Sequence, residues 1–353
     1  MRRLFRRCSV LLLFLLLWNV EPGAWLHHAL SRAWAAQRNL SPLAARGREL
    51  VTDLNCAACH QIEDQTPQPG APPLDFEGER VRPEWLFDFL KQPRSIRPWL
   101  RMRMPTFRLG DREALAITKF LETQRKRHDE PLPAKFRFAG RSEPELTDAA
   151  KKLMTPEYLD CLTCHLRGKE SRSVKPDERA PDLSLVPQRL NPDWIIRWLQ
   201  DPQSFQPGVK MPNFFDDESS GPEDILGGDE ARQMIALRDF LVTQSSDPLP
   251  AEYQRAVRQN PDVTPEMGRQ LMAQFNCVGC HGDIPGLPPR REIAPSLAQQ
   301  GRKAQVTWLI EFLTESREIR REAYNLGTGG RMPNFRFTPD EAEAVAEYLR
   351  TLR

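Results

Sequence analysis

Six of the seven cysteines stand in pairs: Cys56/Cys59, Cys161/Cys164 and Cys277/Cys280. Each pair has two intervening residues, and a histidine follows at once: His60, His165 or His281. Two thiols about one helical turn apart can add to the two vinyl groups of a haem, and the adjacent imidazole is then directed at the iron. A Cys-x-x-Cys pair alone would also suit a redox dithiol or half of a zinc site. Zinc, however, needs four ligands, and each copy offers three with no further Cys or His nearby. A thioredoxin-type dithiol needs alternating strands and helices, which the sequence lacks. Neither alternative uses the histidine. The motifs therefore point to three covalently attached c-type haems. Their attachment residues are Cys56, Cys59, Cys161, Cys164, Cys277 and Cys280, and the proximal ligands are His60, His165 and His281.

A six-coordinate iron needs a second axial ligand, and a second motif recurs three times: "RMPTF" at 103–107, "KMPNF" at 210–214 and "RMPNF" at 331–335. A methionine sulfur is a soft neutral donor that favours ferrous iron, and the proline after it restrains the loop that must hold a weak bond. Met104, Met211 and Met332 follow His60, His165 and His281 by 44, 46 and 51 residues. Read in sequence order, each would serve the histidine before it. Methionines more commonly fill core gaps, but three Met-Pro copies in loops do not fit that use. Met102 competes with Met104 but lacks the Pro and Phe. His27, His28 and His128 could give a bis-His site, yet have no repeat partners.

The rest of the chain falls into register around these motifs. A helical pattern precedes each site, with Gly47 and Gly268 nine residues before the first cysteine and Ala150 in the comparable place of the second copy. There Pro156 ends the helix early. After each site comes an Ala-Pro stretch ("APPL", "APDL", "APSL"), then an amphipathic helix carrying Trp85, Trp194 or Trp308, then the Met-Pro loop. A last helix places Phe120, Phe240 and Tyr348 alike. The linkers "DEPLPAKF" and "SDPLPAEY" also repeat. No run reads as an extended strand, so the expected fold is mostly α. The expected boundaries are a leader at 1–36, repeats at 38–128, 146–246 and 263–353, and linkers at 129–145 and 247–262.

From about residue 38 onward, the chain resembles three tandem class I cytochrome c domains, each built around one covalently attached haem. In that family an N-terminal helix crosses a C-terminal one. The resemblance implies that Gly47 and Gly268 permit this crossing against Phe120 and Tyr348, with Ala150 in the second repeat. It also implies that carbonyls of Pro72, Pro181 and Pro295 orient the proximal imidazoles. The repeated tryptophans read as core, and Phe107, Phe214 and Phe335 as walls near the methionines.

A chain of 353 residues accommodates two or three domains, and a net charge of +2 gives no case for nucleic acid. Four arginines before an apolar run from about Val10 to Trp18 have the layout of an export signal. The expected location is periplasmic or otherwise extracytoplasmic, with the leader cleaved or kept as a membrane anchor. With both axial positions filled, iron has no open site, which favours an electron carrier over an enzyme. The expected partners are redox proteins, in the first instance a membrane respiratory complex. A cytochrome subunit of a periplasmic quinoprotein or flavoprotein dehydrogenase is the alternative, and a haem peroxidase a more distant one. Arg94, Arg97, Arg101 and Arg103 before Met104 suggest a positive docking rim at the first haem. Asp216, Asp217, Glu218, Glu223 and Asp224 after Met211 suggest a negative one at the second.

Overall fold

The computed structural model describes residues 40–62, 65–67, 70–96, 103–125, 131–141, 143–168, 179–215, 221–244, 251–291, 294–316 and 332–353. Among them, ten helices have eight residues or more. The first five are α1 (Pro42–Asp53), α2 (Pro83–Lys91), α3 (Asp111–Glu122), α4 (Pro144–Leu153) and α5 (Pro192–Gln200). The remainder are α6 (Glu230–Thr243), α7 (Glu252–Gln259), α8 (Pro265–Gln274), α9 (Val306–Thr314) and α10 (Pro339–Thr351). The described residues contain no strand, only isolated bridges, and none of their helices is long and apolar enough to cross a membrane. The leader, Met102, His27, His28 and His128 lie outside the described residues.

Six of the ten helices begin on a proline. A proline at the first helical position lacks an N–H that the helix could not have bonded anyway, which is where several of the 32 prolines go. Side-chain caps close three of these starts: Ser41 Oγ accepts from Ala44 N at 3.2 Å, Thr264 Oγ1 accepts from Met267 N, and Thr338 and Glu341 form a reciprocal capping box on α10. Helix α4 stops at Leu153, ahead of Pro156.

The second repeat folds on itself, α4 against α6, around a core of its own. The first and third do not. Helix α1 of the first repeat packs on α10 of the third, and α8 of the third packs on α3 of the first. One apolar core joins Leu50, Val51 and Leu54 to Val345, Tyr348 and Leu349; another joins Leu86, Leu115 and Phe120 to Met272, Phe275 and Val278. The two glycines decide how close these helices come. A Cβ on Gly47 would lie 1.8 Å from Ala344 O and 2.9 Å from Tyr348 Cβ. One on Gly268 would lie 1.9 Å from Ala116 O and 2.8 Å from Phe120 Cβ. The expected crossings are thus present with their partners exchanged: Gly47 meets Tyr348, and Gly268 meets Phe120. The reason is physical. The repeats present equivalent surfaces, so the fold closes with halves taken from different copies.

Links across the exchange surround the Met-Pro loops. Thr106 and Asn334 exchange two backbone hydrogen bonds of 2.7 and 2.8 Å. Arg336 donates to Met104 O at 3.0 Å, and Arg103 donates to Phe335 O at 2.6 Å. The guanidinium of Arg103 also grips Glu341 with both terminal nitrogens, at 3.2 and 2.7 Å. This bond holds the Glu341 carboxyl below its ordinary value of 4.5. A carboxylate depressed in the folded state adds stability above its ordinary value and loses it as pH falls through the folded one. Glu341→Gln keeps the capping box, so chemical denaturation should show it less stable by about 1 kcal/mol at pH 7. The gap to the parent protein should close as the pH falls below 4.5.

The described parts of the expected linkers are structured. Phe136 is buried against the second repeat, where its carbonyl accepts from Arg238. The segment before the third repeat forms α7, whose Tyr253 meets Phe87 of α2 edge-on at 5.9 Å.

Candidate haem-attachment sites

Each first cysteine follows a residue in the left-handed region: Asn55 at φ 53°, Asp160 at φ 46° and Asn276 at φ 57°. Asn and Asp tolerate that region best among side-chain-bearing residues, and the turn carries the chain from the end of the N-terminal helix into the motif. Backbone bonds then close it: His60 N, His165 N and His281 N donate to the carbonyls of Cys56, Cys161 and Cys277 at 3.0, 2.9 and 3.1 Å. Within each motif the two thiols thus lie about one turn apart with the imidazole following.

A proline carbonyl holds each imidazole. His165 Nδ1 donates to Pro181 O at 2.8 Å, within the second repeat. His60 Nδ1 donates to Pro295 O at 2.9 Å and His281 Nδ1 to Pro72 O at 2.8 Å, each across the exchange. Since a carbonyl only accepts, Nδ1 carries the proton, and Nε2 keeps its lone pair for a metal. Burial holds His60 and His281 below the ordinary histidine value of 6.5, so both rings are neutral at pH 7. Burial also pushes the Cys56, Cys161 and Cys277 thiols up to about 12 and Cys280 to about 11. A redox dithiol needs the opposite shift, so these pairs are ill suited to thiol–disulfide chemistry.

The methionines follow the exchange. Met332 packs in the core that holds Cys56, Met104 in the core that holds Cys277, and Met211 in the core that holds Cys161. Pairing by sequence order, Met104 with His60 and Met332 with His281, is therefore corrected. The structure groups His60 with Met332 and His281 with Met104, and keeps His165 with Met211. In the second repeat, Met211 Sδ accepts from Trp198 Nε1 at 2.9 Å; the equivalent positions in the other repeats are Phe89 and Phe312.

A single cavity of about 1080 Å³ runs between the first and third sites. Its lining includes Cys56, Cys59, His60, Trp308 and Met332 together with Cys277, Cys280, His281, Trp85 and Met104. Phe107 and Phe335 also line it, while Phe214 packs beside Met211. Trp85 and Trp194 are buried, and each repeated tryptophan stacks on the aromatic four residues later at about 5 Å. The buried Trp194 Nε1 has no protein acceptor, as suits a donor meant for a group outside the polypeptide. Paired thiols, an imidazole held at Nδ1, a thioether and apolar walls together fit a covalently attached haem.

The docking rims change meaning. Arg103 is spent on Glu341, Arg94 on Asp88, and Asp224 on Tyr158 and Lys152. Arg97, Arg101, Asp216, Asp217 and Glu218 lie outside the described residues. Arg94 lies over the ring of Trp85, in the core that holds Met104 and Cys277, and so beside the third motif and not the first.

Asn55 and Asn276 escaped the sequence reasoning. Asn55 Nδ2 donates to Gly279 O at 3.1 Å and lies 3.7 Å from Cys280 Sγ. Asn276 Nδ2 donates to Ala58 O at 2.9 Å and lies 3.8 Å from Cys59 Sγ. The signal was present: the first and third motifs are preceded by Asn and the second by Asp. Asp160 turns inward instead and accepts from Thr163 of its own motif.

With this geometry in place, the comparisons agree. The family model for cytochrome c matches residues 44–125 and again 265–353. The match supports the class I cytochrome c family, and such domains carry covalent c-type haem with iron and work by haem-based electron transfer. No curated protein and no solved structure matches the chain.

Proposed function

We propose that this chain is a triheme c-type cytochrome that relays electrons outside the cytoplasm. When bound, haem would supply a ferric/ferrous couple, and the polypeptide would hold it and keep water away. Cys56/Cys59, Cys161/Cys164 and Cys277/Cys280 would hold it through thioether bonds. His60 with Met332, His165 with Met211, and His281 with Met104 would supply the ligands to iron. The observation that carries this reading is the threefold recurrence of an imidazole fixed by a proline carbonyl, in a motif whose first cysteine packs in the same apolar cluster as a Met-Pro methionine. A ligand on each side leaves the metal no open position, which suits outer-sphere electron transfer and not turnover of a bound substrate.

Export follows from the arginine-led apolar leader, and redox proteins are the partners, first among them a membrane respiratory complex. Intact mass of the native holoprotein, with a potentiometric titration, tests the reading. Three covalent haems, all low-spin and reversibly reducible, are expected. Two haems would remove the second repeat from the relay, and none would overturn the reading.

A further inference from the structure

We propose that the three haem sites are ordered in space as second, third, first, so that the site of Cys277, Cys280 and His281 stands in the middle of the relay. The inference rests on the electron-transfer reading above and deepens it. Chain order would put the second site in the middle.

On one side, the third motif lies back to back with the first. The reciprocal amides of Asn55 and Asn276 reach the opposite motif's backbone and come within 3.7 and 3.8 Å of its cysteine sulfurs. A Cβ on Gly279 would lie 3.0 Å from Ala58 Cβ, so the two motifs approach as closely as a glycine allows. These bonds give a short connected route between attachment atoms of the two sites.

On the other side, the exchange brings the second repeat to the third motif. The wall around Met104 and His281 is built from residues of the first repeat, and this wall pairs with the second repeat. Arg82 N donates to Arg189 O at 2.9 Å, Asn191 N to Arg80 O at 3.0 Å, and Asn191 Nδ2 to Glu79 O at 3.0 Å. The Arg189 guanidinium lies 5.2 Å from the ring centre of Trp85. Pro181, whose carbonyl holds His165, reaches the rim of the shared cavity. Among the described residues, no helix of the second repeat makes an extended contact with α1, α9 or α10, which enclose the first motif.

Electron transfer slows steeply with distance, so contacts between sites set the route. The first and second sites become its two ends, and donor and acceptor dock at opposite ends of the molecule. Of the six attachment cysteines, Cys164 is the exposed one, consistent with an end position for its site.

The test marks one haem at a time in the full-length holoprotein. Met104→His, Met211→His and Met332→His each turn one site into a bis-His haem with its own ferric resonance. Pulsed dipolar resonance then reads how many close neighbours the marked haem has. The expected result is two strong couplings for the Met104→His marker and one each for the others. Two for the Met211→His marker would restore chain order and overturn the proposal, and two for Met332→His would overturn it equally. Absence of any new resonance would count against methionine ligation, which is a separate failure. If Met104→His does not fold, Cys161→Ser/Cys164→Ser serves instead. Its two remaining haems should be strongly coupled, and uncoupled haems would overturn the order.

Discussion

Gly47→Ala is expected to destabilise the protein by about 3 kcal/mol or more, and to loosen α10 at the far end of the chain while leaving α3 of its own repeat intact. The added methyl would sit 1.8 Å from Ala344 O, a backbone atom that cannot swing aside as a side-chain tip can. Relief requires α1 and α10 to separate, which opens the core of Leu50, Val51, Val345 and Leu349 along the whole crossing. Hydrogen exchange on the holoprotein checks both parts. Amides of 339–351 should exchange faster in Gly47→Ala and those of 111–122 should not; Gly268→Ala should give the reverse. Faster exchange at 111–122 in Gly47→Ala would mean the repeats close on themselves. The second repeat supplies the control. It already carries a fully buried alanine, Ala150, where α4 meets α6, so Ala150→Gly should cost only about 1 kcal/mol.

That control also explains how far the sequence could be read. The helices, the caps and the glycines at the crossings are local or periodic features, and each copy spells them out. The identity of the partner helix is different. The Ala116–Phe120 and Ala344–Tyr348 faces each meet a crossing glycine with a backbone carbonyl and an aromatic Cβ, so the glycine alone does not name its partner. The same holds for Pro72 and Pro295, each of which would orient either imidazole. What breaks the tie is not repeated threefold: Asn55 and Asn276 bond reciprocally across two motifs, whereas Asp160 accepts from Thr163 of its own motif. Arg103 with Glu341 and Arg336 with Met104 O likewise join the first and third copies alone. Departures from the repeat, and not the repeat, held the information about how its copies assemble. Charge is affected in the same way at Arg103, which follows the first motif in sequence but bonds Phe335 O and Glu341 of the third repeat.

The exchange has its largest consequence at the iron. On the triheme proposal, a chain carrying Cys56→Ser and Cys59→Ser should keep two haems, held by the second and third motifs. Adding Met104→Ala to that background is expected to remove the methionine sulfur from one of the two. About half of the sulfur-to-iron charge-transfer absorption should vanish, and one haem should become high-spin or take up water. Adding Met332→Ala should change nothing, because the haem it serves is already gone. If the methionines instead acted within their own repeats, the outcomes would trade places: Met332→Ala would be the damaging change and Met104→Ala the silent one. The potential should follow the spectrum. Loss of a soft thioether in favour of water or hydroxide disfavours the ferrous state, so one of the two midpoint potentials should fall in the Met104→Ala chain while the other stays in place. The geometry that fixes this expectation is independent of the metal. His281 is held by Pro72 O at 2.8 Å, and Met104 packs against the core around Cys277. Half of that site therefore comes from a segment some two hundred residues earlier in the chain, and the chain must return from the second repeat before either the first or the third site is complete.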